Sequence, residues 1–217
     1  MPKRQHTTRI AVHPLTPARW NDFVALFGSN GACGGCWCMT GRIPRAQYVR
    51  QQGAGNKRAM KAFVDAGCVP GLLAYAGKDC IGWVSVEPRA SFPPLLRSRV
   101  AKPIDATDAW CVSCLFVHKD WRERGVSAAL LRAAIQHARR HGALALDAFP
   151  VAPKRGQRLV PVFAWTGIAP AFVKAGFQEL ARRTPTRPYM RARLKPNLAQ
   201  ASGRQQTATS QTQDPGY

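Results

Sequence analysis

Two segments of the sequence contain residues whose types and spacing are suited to chemistry. In the first, residues 115–128, an apolar stretch leads into Arg122, Gly125 and Ser127. The second, residues 28–39, is rich in glycine and contains three of the seven cysteines. Backbone amides at the start of a helix bind anions such as phosphate, and closely spaced cysteines serve as metal ligands, reactive thiols or small core residues. The first segment is therefore a candidate anion site, and the second is a candidate thiol site.

The anion site requires a buried strand that is followed directly by a helix. Residues 109–117 are almost continuously apolar, which is typical of a central strand covered on both faces. Residues 125–141 place Val126, Leu130 and Ala134 on one side and arginines on the other, which predicts an amphipathic helix. At the join, backbone N–H groups and the helix dipole converge on one spot, so the sequence predicts a phosphate-binding turn there.

The details of the join exclude two common phosphate motifs. It lacks the Lys-Ser/Thr ending of a nucleoside-triphosphate loop and the three-glycine fingerprint of a dinucleotide fold. It matches the pattern Q/R-x-x-G-x-G/A, with Arg122 and Gly125 in place and Ser127 at the usual Gly or Ala position. On these residues the chain resembles the GNAT superfamily of acyl-coenzyme A-dependent N-acetyltransferases. Residues 171–177, AFVKAGF, are similar to the later helix of that family, which ends in a Gly-Phe pair.

The resemblance implies a fold, a co-substrate and a set of binding residues. The expected fold is α/β (α+β), with a mixed, mostly antiparallel central sheet flanked by helices over residues 7–195. The expected co-substrate is acetyl-CoA: the backbone of residues 115–117 would pair with the pantetheine arm and hold the thioester carbonyl, and the amides of residues 123–128 would bind the pyrophosphate. The implied coenzyme-binding residues are Leu115, Phe116, Val117, Arg122, Glu123, Arg124, Gly125, Val126, Ser127, Ala128 and Phe172.

The same resemblance implies direct transfer of the acetyl group to an amine, with a backbone N–H of the central strand stabilising the developing oxyanion. Many members protonate the leaving thiolate with a tyrosine, and here that position is Phe172. We take Asp147 and Glu87 as candidate acids or bases because both are expected near the acceptor cleft, and Tyr189 as a third. For each carboxylate the competing interpretation is an ordinary solvated or salt-bridged side chain.

The cysteine-rich loop leaves several interpretations open. Cys33, Cys36 and Cys38 could bind zinc or an iron–sulfur cluster with Cys111 or Cys114, although the last two, three apart on a strand, are expected on opposite faces, and we assign no metal site. One of these two strand cysteines could instead carry an acyl group in a ping-pong reaction.

The loop could also line the acceptor site, and we expect Trp37 and Cys38 to be its substrate-binding residues; alternatively, Trp37 and Met39 only anchor it on the core. The loop resembles that of a GNAT branch with a Cys-Trp-Cys-Met sequence.

Composition limits the classes of protein that fit. The chain has 217 residues and a formal net charge of +21, and it contains no apolar run long enough to span a membrane. It shows no secretory signal, so we expect a cytoplasmic protein, present as a monomer or homodimer, with flexible or disordered tails at residues 1–6 and 196–217. The charge favours contact with polyanions, although no zinc-finger spacing or RNA-binding consensus is present.

Two functions from different classes follow. The first is an N-acetyltransferase that moves an acetyl group from acetyl-CoA to a primary amine of a small molecule or protein. The alternative is a basic nucleic-acid-binding or ribosome-associated module on the same fold, with weak or no catalysis.

Overall fold

The computed structural model describes residues 9–153 and 164–195, which form one sheet with helices on both faces. Its strands are β1 Ile10–Pro14, β2 Gly71–Ala76, β3 Asp79–Pro88, β4 Ala109–Val117, β5 Ala145–Ala148, β6 Gln178–Thr184 and β7 Arg187–Arg193. The α-helices of these residues are α1 Trp20–Phe27, α2 Arg45–Arg50, α3 Ala54–Asp65, α4 Pro93–Leu96, α5 Val126–Arg140 and α6 Ala169–Lys174.

The sheet is mixed and mostly antiparallel. Its strand order is β1-β2-β3-β4-β5-β7-β6, which puts β4 in the centre. Only β4 and β5 pair in parallel, and all the other neighbouring strands are antiparallel. The near-continuous apolar sequence of β4 follows from this position, because a central strand is covered on both faces. The predicted fold class and the predicted central strand are confirmed.

The long helix α5 covers one face of the sheet. Val126, Leu130, Leu131 and Ala134 are buried in the cluster between the helix and the strands. Gly82 of β3 lies directly beneath, and a Cβ atom there would come within 2.9 Å of Val126 Cγ1. The absence of a side chain at this glycine therefore lets the helix pack close to the sheet.

The opposite face is covered by α1, α3 and the cysteine-rich loop. Phe23 and Phe27 of α1 lie with their ring centroids 4.1 Å apart, and Phe23 contacts the ring of Trp83 on β3 at 5.0 Å. Met60 of α3 is fully buried in the same cluster. This aromatic layer holds the cysteine-rich loop against the central strands.

A β-bulge interrupts β4 in its middle. Ser85 of β3 pairs with Cys114, whereas the next residue, Val86, pairs with Val112, so Ser113 is an extra residue in β4. Such a bulge breaks the alternation of side chains between the two faces.

The bulge corrects the prediction that Cys111 and Cys114 lie on opposite faces. Val112 and Leu115 belong to the cluster beneath α5, and both cysteines belong to clusters on the other side of the sheet. The prediction was wrong because it assumed uninterrupted alternation along the strand.

Several other predictions can be compared with the structure. Residues 45–66, which the sequence predicts to be helical in one or two pieces, form the two helices α2 and α3. Residues 71–86, predicted to be a β-hairpin, form β2 and most of β3. The insert 88–103, expected to be irregular, contains the short helix α4. The predicted tails, 1–6 and 196–217, and the loop predicted around 154–160 lie outside the described residues.

Candidate active site

The join between β4 and α5 presents a concentrated set of amide donors. Glu123 has a φ of 62° and Gly125 a φ of 80°, so both are left-handed, and α5 begins at the next residue, Val126. Left-handed residues in such a turn point successive amides toward one side and create an anion-binding concavity. The first amides of a helix also have no partner within it. The residues predicted to bind the pyrophosphate therefore form a left-handed turn at the start of α5.

Positive side chains surround this turn. Lys119, Arg122 and Arg124 are exposed, and the Arg124 guanidinium lies 5.5 Å from the centroid of the Trp121 ring. Arg122 Nε donates a hydrogen bond to the carbonyl at the end of β4, at 3.4 Å. A Cβ atom added to Gly125 would meet no other atom within 4 Å, so the space beside Gly125 is open. The positive charge and the open space suit an anionic ligand.

Beside this turn, β4 and β5 separate. The two strands pair in parallel as far as Val112 and Ala148, and β4 then continues to Val117 without β5. Parallel strands that separate leave backbone N–H and C=O groups of the central strand available to another chain or ligand. This gap is where the predicted pantetheine contacts of residues 115–117 fall.

A segment of the chain itself lies in the gap. We call residues 164–168 the gap segment. The Leu115 N–H donates to the carbonyl of Trp165 at 2.8 Å, and the Val151 N–H, beyond the end of β5, donates to the carbonyl of Gly167 at 2.9 Å. Ile168 forms a parallel bridge with Val151. Leu115 is one of the three residues whose backbone is expected to hold the thioester carbonyl, and its amide is already hydrogen-bonded in this structure.

Phe172 lies next to the gap segment. Its side chain is fully buried, and its ring meets that of Phe177 edge-on with centroids 5.1 Å apart. A Cβ atom added to Gly167 would come within 2.7 Å of Phe172 and 3.0 Å of Leu115. Phe172 therefore borders the predicted thioester position and contributes a ring without a hydroxyl group.

Glu87, one of the two candidate acid–base residues, forms a salt bridge with Arg42. The Arg42 side chain is almost fully buried and also donates to the Pro70 carbonyl at 2.7 Å and to Ser85 Oγ at 2.9 Å. The Glu87 side chain is 14% exposed. Glu87 thus retains some contact with solvent, but its carboxylate is already paired.

Asp147, the other candidate, lies at the centre of a buried ion network. Its carboxylate accepts hydrogen bonds from Arg191 Nε at 2.6 Å, from Arg89 at 3.2 Å and from the Tyr189 hydroxyl at 2.6 Å. The Asp147 side chain is 0% exposed. Burial and the hydrogen bond to Asp147 raise the pKa of Tyr189. None of these groups faces open solvent, so the geometry favours a structural interpretation of this network.

In the cysteine-rich loop, two thiols meet across the protein. The Cys38 thiol donates to Cys114 Sγ at 2.9 Å and accepts from Trp83 Nε1 at 2.9 Å. Burial raises the pKa of the Cys38 thiol well above its ordinary value, so this group is a neutral thiol at pH 7. Among the described residues, no group of three or more His, Cys, Asp or Glu side chains is arranged to hold a metal ion. The zinc and iron–sulfur alternatives therefore have no ligand set in this part of the chain.

Trp37 lies between this core and the surface. Its φ of 42° is left-handed, as is the 51° of Cys38, and such values in non-glycine residues store strain. The ring is buried, and Lys57 Nζ of α3 lies 4.9 Å from its centroid. Trp37 and Lys57 line a surface groove together with Val24, Gly28, Ser29, Gly53 and Ala54. Trp37 therefore anchors the loop on the core and also borders a surface groove.

Sequence reasoning missed three groups of residues around the site. The buried partners Arg42, Arg89 and Arg191 gave no signal, because an isolated arginine in a basic sequence resembles a surface residue. Residues 164–167 of the gap segment were not assigned to any element. The bulge at Ser113 also had no sequence marker, since no glycine is present there.

The comparisons with known proteins identify the family and the fold. Residues 39–159, more than half of the chain, match the acetyltransferase (GNAT) family, and the chain belongs to this family. The fold resembles that of a protein described as arylalkylamine N-acetyltransferase 7 from the yellow fever mosquito Aedes aegypti, with a TM-score of 0.53 and 14% identity over 86% of this chain and 88% of that one. It also resembles a chain of the NatC complex solved with a Gag peptide and CoA, with a TM-score of 0.50 and 10% identity over 86% of this chain and 99% of that one.

These structural similarities show the shared fold. No curated protein matches the sequence. No helix in the described parts of the chain is both long and apolar enough to cross a bilayer.

Proposed function

We propose that this protein is an acetyl-CoA-dependent N-acetyltransferase whose acceptor is a primary amine of a small molecule or protein. The observation that carries the proposal is the gap between β4 and β5 leading directly to the amide-rich turn at Glu123 and Gly125. The gap and the turn together suit an elongated ligand. Its thioester end would lie in the strand gap, and its phosphates would lie at the anion-binding turn. Bound acetyl-CoA would supply the activated acetyl group and a thiolate leaving group.

The residues of this chain would hold the coenzyme and polarise its carbonyl. In the proposed site, amides 123–128 bind the pyrophosphate, with Lys119, Arg122 and Arg124 adding positive charge. The Leu115 N–H stabilises the negative charge that develops on the acetyl oxygen, and the Phe116 and Val117 backbone orients the pantetheine arm. Trp37 and Cys38 border the acceptor side.

Acetyl transfer to an amine also requires proton transfer. The amine must lose a proton before or during attack. Glu87 remains a candidate because it is partly exposed, although it must first loosen its pairing with Arg42. Asp147, surrounded by guanidinium groups and fully buried, is better suited to positioning β5 against β7. Phe172 offers no proton to the leaving thiolate.

A thiol-release assay with acetyl-CoA and a panel of amines, polyamines, aminoglycosides and basic peptides tests the function. Gly125→Trp is the blank, because it adds a bulky indole within the turn proposed to bind the pyrophosphate and strains its left-handed backbone. Gly67→Trp is the matched control: Gly67 has a φ of 81°, also has no atom within 4 Å of an added Cβ, and follows α3, which packs on the opposite face of the sheet from α5.

Release of thiol with one amine class in wild type and Gly67→Trp, but not in Gly125→Trp, supports the proposal. Equal activity of the two tryptophan variants contradicts the assignment of the site. Acetyl-CoA that fails to bind the wild-type protein at millimolar concentration contradicts the proposed function itself.

The second candidate is a polyanion-binding module, and the net charge of +21 favours it. Such binding weakens steeply as salt rises, because basic side chains release counterions from the nucleic acid. A mobility-shift assay with RNA and DNA at low and high salt tests it, and no shift at low salt excludes it. Arg124→Glu combined with Gly125→Trp separates the two functions, since it should abolish coenzyme binding and leave most polyanion binding intact.

A further inference from the structure

The gap segment occupies a position that the proposed function assigns to the coenzyme. The carbonyl of Trp165 accepts the Leu115 N–H at 2.8 Å, and in the proposed site the same N–H holds the acetyl carbonyl. One backbone N–H directed into a narrow gap makes one good hydrogen bond at a time. The Trp165 carbonyl and the acetyl carbonyl of the coenzyme therefore compete for one donor.

The gap segment is held in place by more than this single contact. Val151 donates to the Gly167 carbonyl and accepts from the Ala169 N–H, both at 2.9 Å. The Gly167 N–H donates to the carbonyl of Ala164 at 2.8 Å, which closes a tight turn around Trp165. The segment is therefore an ordered substitute for a strand, inserted beside β4 where β5 no longer pairs with it.

A side-chain hydrogen bond fastens the segment from the other side. Arg187, at the start of β7, donates from Nη1 to the Thr166 hydroxyl at 2.9 Å, and Thr166 is buried. Trp165, by contrast, is 36% exposed. The hydrogen bond from Arg187 therefore fixes the segment at Thr166, and the Trp165 carbonyl contacts the central strand.

We propose that the gap segment is an autoinhibitory plug, in which the Trp165 carbonyl occupies the oxyanion-binding amide of Leu115 until acetyl-CoA displaces it. This inference rests on the proposed function. The structure described is then the closed state, and the coenzyme binds the open state alone. The apparent affinity for acetyl-CoA is accordingly reduced by the fraction of molecules that are open.

The first test is amide hydrogen exchange of the full-length wild-type protein with and without acetyl-CoA. Displacement should raise the exchange of the Val151 and Gly167 amides, whose partners lie in the gap segment, while Leu115 stays protected by its new acceptor. Binding of acetyl-CoA with undiminished protection of Val151 and Gly167 would overturn the proposal.

The second test loosens the fastening without changing any residue that the proposed function assigns to coenzyme binding. Thr166→Ala removes the acceptor of the Arg187 hydrogen bond and should tighten acetyl-CoA binding about three- to tenfold by favouring the open state. Thr16→Ala is the matched control, because Thr16 lies after β1 and its side chain makes no capping hydrogen bond. Binding is measured by isothermal titration calorimetry.

The outcomes separate the plug from the proposed function. Tighter binding by Thr166→Ala than by wild type and Thr16→Ala supports the plug, and so does binding by Thr166→Ala alone. Equal binding by all three proteins overturns the plug and leaves the proposed function standing. Absence of binding in all three overturns both.

Discussion

Cys38 Sγ lies 2.9 Å from Cys114 Sγ, so the loop between α1 and α2 touches the central strand through two buried thiols. Cys114 immediately precedes Leu115, whose amide is the proposed oxyanion donor. The cysteine-rich loop is therefore fixed within one residue of the proposed reaction centre, on the side of the sheet away from α5. Because the loop lies next to the strand gap, we expect it to influence acceptor binding.

Replacing Cys38 with alanine should destabilise the fold. The Trp83 indole N–H would lose the sulfur that accepts its hydrogen bond, and an unsatisfied buried donor costs about 1–3 kcal/mol. Urea unfolding followed by tryptophan fluorescence measures the loss. Cys68→Ala serves as the control, since Cys68 is exposed and surface substitutions usually change stability by less than about 0.5 kcal/mol. Equal stability of the two variants would show that the thiol contact contributes nothing.

The ion network around Asp147 yields a second prediction. Asp147→Asn would leave two buried guanidinium groups short of negative charge, and breaking a buried ion pair costs about 3–5 kcal/mol. Chemical denaturation should detect this loss, whereas Asp65→Asn, at an exposed pair with Lys61, should cost about 1 kcal/mol or less.

The same variant distinguishes a structural role of Asp147 from a catalytic one. If Asp147→Asn keeps wild-type stability and coenzyme affinity but loses acetyl transfer at every pH, the structural interpretation is wrong. A parallel loss of stability and activity supports it.

The success of sequence reasoning differed from element to element for physical reasons. Residues 109–117 and 125–141 were predictable because burial on both faces and a one-sided apolar stripe leave direct composition signals. The gap segment was not, since its position depends on backbone hydrogen bonds to Leu115 and Val151, which are distant in sequence. Main-chain contacts of this kind have no residue signature.

Some features of the candidate site could be predicted from the sequence, and others could not. Arg122 and Gly125 stood out because a short motif combined with a strand and a helix. The pairing of Asp147 with Arg191 did not, because any of the many arginines could have been its partner. The bulge at Ser113 could not be predicted either, since an almost continuously apolar strand carries no alternation that an extra residue would interrupt.

Stability should fall in mild acid because of His137. Burial first, then the nearby charges of His141 and Arg140, lowers the pKa of His137 to about 4 in the folded protein, against about 6.5 in the unfolded chain. The unfolded state therefore binds more protons between these values. The contribution is complete above pH 6.5 and is lost as pH falls toward 4. The difference between these two pKa values sets an upper limit of about 3 kcal/mol on the loss.

The measurement is the unfolding free energy of wild type minus that of His137→Gln, which has no titrating ring, at pH 7 and pH 4.5. Wild type should lose more stability than the variant over this interval. The difference should persist in 1 M NaCl, because burial rather than charge is the larger cause. An identical pH dependence in the two proteins would rule out His137 as the source.

A carboxylate at Ser127 should affect the helix and the coenzyme in opposite directions. Ser127→Asp places a negative charge in the first turn of α5, where it should stabilise the helix by about 0.3–1 kcal/mol through the helix dipole. The same charge lies among the amides proposed to bind the pyrophosphate, so it competes for those donors and repels the phosphates. We expect acetyl-CoA affinity to fall about tenfold or more, equivalent to about 1.4 kcal/mol.

Gln136→Asp is the matched control for this charge, because Gln136 is exposed in the middle of the same helix. It should leave coenzyme affinity within about twofold of wild type, since the effect of the helix dipole is confined to the terminal turns. Calorimetric titration and thermal unfolding of the two variants provide both readings. If Ser127→Asp gains stability and still binds acetyl-CoA as wild type does, the phosphates bind elsewhere, and the start of α5 is a helix terminus without a ligand.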